Sequence, residues 1–171
     1  MPTIRQSTRN NLASYKLRVD TYFMDILADP EIRYLFQILL AFLLGSLVGL
    51  EREYIGKEAG IRTFSLVCIG SMLFTTLSRE GFLDINGGIV DPSKVASGIV
   101  MGIGFLASGI IIFRGAQIEG LTTAAGLWIV AAIGMAIGCR LYYLATISTL
   151  FAFIILSLSR KLKIDKAGAR E

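Results

Sequence analysis

Histidine is absent from the 171 residues of this chain. That removes an imidazole general base, a histidine-ligated metal and a haem held through histidine. Only two cysteines occur, Cys68 and Cys139, both in apolar stretches. They read as small buried hydrophobes, not as a disulfide framework or a zinc site. Between their ends, the long hydrophobic runs also lack Asp, Glu, Lys and Arg, and their polar inventory is serine, threonine, cysteine and Gln37. No nucleophile sits beside a base, no phosphate-binding glycine loop precedes a helix, and no metal-ligand cluster appears, so no catalytic residue or metal site is expected. The reading is a protein that is not an enzyme and needs no cofactor.

What the chain has in quantity is apolar surface. Hydrophobic residues make up 54% and the mean hydropathy is +0.65, too apolar for a soluble domain of this size. Five stretches, 34–50, 61–78, 95–113, 121–137 and 141–159, each approach the roughly 20 residues that a helix needs to cross a bilayer. The first two are short unless the helix continues into its charged flanks. Only 138–140 separate the last two, which predicts a tight helical hairpin. The expected fold is therefore all-α, a polytopic membrane protein of about five transmembrane helices.

Before the first span, Leu12, Tyr15, Val19, Tyr22, Phe23, Ile26 and Leu27 recur at helical spacing opposite Lys16, Arg18, Asp20 and Asp25. This predicts an amphipathic helix lying at the membrane interface or docked on a partner. The domain reading is a polar basic tail (1–11), the amphipathic helix and linker (12–33), the transmembrane domain (34–159) and a basic cytoplasmic tail (160–171). No cleavable signal is expected, because the first eleven residues carry no apolar core. The net charge of +4 comes mostly from the tails, which suits anionic lipid and not nucleic acid. Arg52, Lys57, Arg62, Arg114 and the basic tail share one side, so the positive-inside rule puts the C-terminus in the cytoplasm.

The sequence also repeats itself. "GLEREYIGKEAGIRT" at 49–63 aligns with "GIIIFRGAQIEGLTT" at 109–123 at an offset of sixty, pairing Gly49 with Gly109, Gly60 with Gly120 and Thr63 with Thr123. Each unit would hold two spans, so the copies run parallel about an axis along the membrane normal, with a fifth helix added. Both loops then meet on the cytoplasmic side.

The first loop is crowded with charge: Glu51, Arg52, Glu53, Lys57, Glu58 and Arg62. Glu53 with Lys57 and Glu58 with Arg62 have the spacing of helical ion pairs. Arg62 opposes the dipole at the start of a span, which points to a compact network with Arg62 as its central cation and Lys57 peripheral. The second loop keeps Arg114 and Glu119. Gly60 and Gly120 read as helix breaks, with Thr63, Thr122 and Thr123 available as hydroxyl caps. Small residues at Ala41, Gly45 and Gly49, at Gly98 and Gly102, and at Gly134 and Gly138 predict close helix contact, within the chain or in assembly.

"GLEREYIGKEAGIRTFSLV", "GIGFLASG" and "GLTTAAGLWIVAAIGMAIG" together resemble the MgtC/SapB family of bacterial inner-membrane proteins, over about 36–158. The family pattern falls on Gly49, Glu51, Arg52, Gly60, Arg62 and Thr63, then on Asp91, Gly102, Gly104, Phe105, Leu106, Gly109, Gly120, Leu121, Thr122, Thr123, Ala124, Ala125 and Trp128. Two positions depart from it: Ala107-Ser108 stand where the family usually has Gly-Ala, and Gly98 where it usually has Gln. Many members continue into a soluble C-terminal domain, so the resemblance implies a short form. It also implies a connection with growth at low magnesium, intracellular survival and control of other membrane proteins. A regulator working through a membrane-protein partner or a second copy is thus expected, with a magnesium transporter or channel subunit as the alternative. Magnesium contact has no support from ligands inside the spans, since magnesium favours carboxylate and water oxygens.

Overall fold

The computed structural model describes residues 29–82, 91–115 and 117–168, with side chains described up to 158. The expected amphipathic helix at 12–27 and both tails' side chains lie outside the described residues. Contacts divide the chain into residues 1–36 and 37–171. In the first unit, the carboxylate of Asp29 accepts the Glu31 amide at 3.0 Å, ahead of Pro30 at the first helical position, where its missing N–H costs nothing. The Arg33 guanidinium lies 5.2 Å from the Tyr34 ring centroid.

Five helices form the described fold: α1 (Pro30–Tyr54), α2 (Ile61–Thr76), α3 (Ser93–Ser108), α4 (Leu121–Gly138) and α5 (Tyr142–Gly168). α2 continues through a π-type turn at Leu77–Gly81. α1 runs through Glu51 and Arg52 to Tyr54, which supplies the length that the first apolar run lacked. α2 and α4 begin sixty residues apart, as the repeat requires. The third interval, 95–113, does not hold as one helix. α3 stops at Ser108, and the apolar residues that follow enter an antiparallel hairpin, β1 (Ile112–Arg114) on β2 (Gln117–Glu119), with Phe113 opposite Ile118. β-branched isoleucines and a left-handed Gly115 at φ +62° favour this turn over continued helix.

Backbone proximity fixes the helix directions. A Cβ at Gly45 would fall 2.8 Å from the Cys68 Cβ, and one at Gly49 would fall 2.7 Å from the Ile61 Cα. α1 therefore descends α2 in the antiparallel sense. Gly126 lies against Phe64, Gly134 against Cys68 and Ser71, and Gly138 against Met72 and Thr75. α4 therefore rises with α2, parallel to it and in backbone contact. Between the three helices sits the core: Ala41, Val48, Phe64, Cys68, Met72, Leu127, Val130, Ile133 and Ile137. α3 adds Ile99 and Ile103 against Ala131 of α4.

The α4–α5 connection is as tight as expected. The Leu141 amide donates to the Ala136 carbonyl at 2.8 Å and the Arg140 amide to Ile137 at 2.9 Å, the pattern of a Schellman stop, with Arg140 in the left-handed region at φ 64°. Gln37, fully enclosed at 1% exposure, also donates to the Ile137 carbonyl at 2.9 Å. Arg79 reaches the Gly138 carbonyl at 2.9 Å, and Arg140 pairs with Glu80. One end of the bundle is thus tied by side chains that close the last turn of α4.

Outside this core the surface is apolar: Leu43 is 60% exposed, Leu66 68% and Phe105 80%, as lipid-facing side chains require. Three helices, Pro30–Tyr54, Ile61–Gly81 and Leu121–Gly138, are long and apolar enough to cross a membrane. Ser93–Ser108 is a shorter apolar helix, whose sixteen residues reach about 24 Å, below the ~30 Å hydrocarbon core, and Tyr142–Leu158 is the apolar part of the longer α5.

The glycine faces differ in kind. A Cβ at Gly134 would come within 2.2 Å of the Cys68 carbonyl oxygen, whereas Gly98 and Gly102 have nothing within 4 Å. The expectation that Gly102 and Gly134 serve one role is corrected here: Gly134 is a contact inside the fold and Gly102 faces open space. Gly134→Ala is expected to lower unfolding stability in detergent by about 1–3 kcal/mol through overpacking. Gly102→Ala is expected to leave it unchanged or raise it by up to about 1 kcal/mol through helix propensity. Thermal unfolding of both variants checks the difference in sign.

Candidate functional site

The end of the fold opposite Gln37 holds the charges of the first loop. α1 finishes with Glu51 and Arg52 buried at 4% and 3% exposure, and Arg52 Nε donates to Glu51 Oε2 at 2.5 Å. Arg52 suits the negative end of its helix; Glu51 does not, and depends on the neighbouring cation. The other oxygen, Glu51 Oε1, is buried without a hydrogen-bond partner among the described residues.

Two glycines and a carboxylate then turn the chain. Gly56, at φ +69°, lets the amides of Gly56 and Lys57 return to the carbonyls of Glu53 and Arg52, each at 3.0 Å, a second Schellman stop. Glu53 reaches forward, and its Oε2 accepts the Ile61 amide at 2.9 Å, capping α2. Gly60 is required beneath it, because a Cβ there would lie 2.6 Å from that oxygen. The cap is a carboxylate eight residues back and not the expected threonine hydroxyl; Thr63 stands half-buried on the first turn.

Arg62 is not the central cation. It is exposed, and among the described residues neither it nor Glu58 forms an ion pair. Neither of the i,i+4 pairs forms, because α1 ends at Tyr54 and α2 begins at Ile61, so their members never share one helix. The buried cation is Arg52, on the preceding helix.

The second loop comes back to the first through the hairpin. Arg114 pairs with Glu119 at 3.3 Å, both largely exposed. Gly120, at φ +85°, opens α4, and a Cβ there would sit 2.1 Å from the Ile110 carbonyl oxygen. Gly109 makes no unusually close approach, with only the Leu106 carbonyl oxygen at 3.5 Å. α4 starts without a side-chain cap; its first backbone bond runs from the Ala124 amide to Gly120 at 2.9 Å. The two loops enclose a polar cavity of 650 Å³, lined by Arg52, Lys57, Gln117, Glu119, Thr122 and Thr123. A smaller one of 140 Å³ joins Lys57 and Glu58 to Ile110, Glu119 and Thr123. Lys57, expected to be peripheral, and Gln117, which no motif marks, are therefore cavity residues.

Elsewhere, Asp91 Oδ1 accepts the Ser93 amide at 2.9 Å and starts α3. Hydrogen bonds from the Ser93 side chain and backbone hold its carboxyl below the usual range. Gly98, Gly102 and Leu106 belong to a second, apolar groove of 540 Å³ between α2 and α3, shared with Leu66, Phe74 and Ile103. Gly104 has nothing within 4 Å, and Trp128 is half-exposed on the outer face of α4.

Comparison with known proteins meets this arrangement over the whole helical core: the MgtC family matches residues 38–164. The chain belongs to the MgtC family. It is 38% identical over 133 residues to YhiD of Escherichia coli K12, covering 75% of this chain and 61% of that protein. It is 39% identical over 137 residues to SrpB of Synechococcus elongatus, 75% of each. It is 42% identical over 122 residues to MgtC of Brucella abortus, 71% of this chain and 49% of the relative. The chain thus spans about three fifths of YhiD and half of the Brucella MgtC. No solved structure matches it. Family and fold agree on a helical membrane protein of the MgtC family.

The burial difference between the two arginines has a measurable consequence. Arg52→Ala leaves the Glu51 carboxylate buried without its cation and is expected to cost about 3–5 kcal/mol. Arg62→Ala removes an exposed charge that forms no ion pair among the described residues and is expected to change stability by less than about 0.5 kcal/mol. Folded yield and detergent unfolding of the two variants check the order.

Proposed function

We propose that this MgtC-family protein is a regulator of other membrane proteins, working in the bacterial inner membrane in connection with magnesium homeostasis or stress survival. The observation that carries the reading is the open groove between α2 and α3. Its wall is apolar, Gly98 and Gly102 have nothing within 4 Å, and a helix backbone can approach such a face closely in lipid. A transmembrane helix of a partner protein, or of a second copy, is the occupant that this chemistry suits.

The transporter reading draws on YhiD, whose provisional name makes it a magnesium transporter. Against it, the apolar parts of the helices carry no Asp, Glu, Lys or Arg, and no group of three or more potential metal ligands occurs among the described residues. The polar cavity presents Arg52 and Lys57 to any entering cation. Transport of a divalent cation calls for carboxylates or carbonyls facing a wet path.

The C-terminus is proposed to be cytoplasmic, with the 51–60 and 114–120 loops on the same side, so compartment reporters after Arg170 and within 84–90 should read opposite sides. The decisive experiment reconstitutes the purified protein in liposomes loaded with a magnesium-sensitive dye. No flux above protein-free liposomes is expected, and a photo-crosslinker placed at Leu106 is expected to capture a membrane protein or a second copy in cells. Magnesium flux that stops when Glu51 and Glu53 are both replaced by Gln would overturn the regulator reading.

A further inference from the structure

We propose that the 650 Å³ cavity at the charged end is a binding site for a phosphate-bearing anion. Four kinds of donor converge on it. Leu121, Thr122 and Thr123 form the uncapped first turn of α4 and line the cavity. Their amides precede the first helical bond, made by Ala124, so all three are left without helical acceptors at the positive end of an 18-residue helix. Such a terminus favours anions.

Two buried side chains on the cavity wall point to a ligand independently of the helix end. Thr123 is 4% exposed, and its hydroxyl makes no hydrogen bond among the described residues. Arg52 is 3% exposed; it spends only Nε on Glu51, and its two terminal nitrogens have no partner among the described residues. A buried guanidinium with free amino groups is an open fork for a phosphate or carboxylate. Lys57, exposed on the same wall, adds a mobile ammonium.

The charges around the cavity fit this assignment. Glu119 also lines it, but its carboxylate is engaged by Arg114 at 3.3 Å, and Glu51 is engaged by Arg52. Two cations, Arg52 and Lys57, thus line the cavity with one carboxylate, Glu119, that is already held by Arg114. Leu121 and Leu156 give part of the lining an apolar character, which suits the glycerol end of an anionic lipid as well as a free phosphate compound. The shared chemistry is the phosphate group. The assignment stands apart from the regulator reading, because it concerns the loop end and not the α2–α3 groove.

The test uses the full chain in nanodiscs. In phosphatidylcholine discs, inorganic phosphate is titrated by calorimetry; in a parallel arm, thermal stability is compared between phosphatidylglycerol and phosphatidylcholine discs without phosphate. Phosphate heat identifies a free phosphate compound as the source, and stabilisation by phosphatidylglycerol alone identifies a lipid headgroup. In either case Lys57→Ala is expected to weaken the effect at least about tenfold, the loss of one charge-assisted hydrogen bond. Thr123→Val should weaken it severalfold, while Glu119→Gln should strengthen it. Lys57 and Glu119 are exposed, so these variants keep the fold even if Arg52 cannot be changed. Absence of both phosphate heat and phosphatidylglycerol stabilisation overturns the proposal, as does binding that is indifferent to Lys57→Ala and Glu119→Gln.

Discussion

The whole arrangement depends on α2 lying in backbone contact with α1 on one side and α4 on the other. In lipid no hydrophobic force drives helices together, so close packing of their backbones does much of the work of holding spans together. Gly45 and Gly49 supply it toward α1, and Gly134 and Gly138 toward α4, while Gly126 makes room for the Phe64 ring. The same approach sets the functional geometry. With Gly49 against Ile61, Glu53 is close enough to cap α2, and Arg52 comes to rest beside the start of α4.

Burying a carboxylate and a guanidinium together is not in itself a source of stability, since desolvation offsets most of their attraction. The Glu51–Arg52 pair makes better sense as a fixed electrostatic feature. Glu51 holds the guanidinium through Nε, and the terminal nitrogens remain for the cavity. The loop hydrogen bonds to the carbonyls of Arg52 and Glu53 then hold the end of α1 rigid beneath it. The opposite end is closed differently, by Gln37, Arg79 and Arg140 on the last turn of α4 and its stop.

Much of this was legible in the residues. The apolar runs located the five helices, Gly60 and Gly120 marked the starts of α2 and α4, and the offset of sixty anticipated their parallel pairing. Three features were not legible, each for a physical reason. Arg62 looked central because i,i+4 arithmetic presumes a continuous helix, and the helix stops at Tyr54. Residues 110–113 looked like the end of a span because hydrophobicity alone does not separate strand from helix. The Gly98–Gly102 and Gly134–Gly138 spacings are identical on paper, yet only the second meets a neighbour within the chain, because spacing defines a face and not what covers it. The approach of Lys57 and Gln117 to one cavity depended on the hairpin and was invisible for the same reason.

The packing of α2 can be read directly from the two native thiols. Cys68 is fully buried between Gly45 and Gly134, while Cys139 is exposed beyond the end of α4. A membrane-permeable maleimide applied to native membranes, followed by mass spectrometry, is expected to modify Cys139 and to leave Cys68 untouched until the protein is denatured. Modification of Cys68 in the native protein at a rate comparable with Cys139 would contradict the close packing of α1, α2 and α4, and would reveal a wet path where this account places backbone contact.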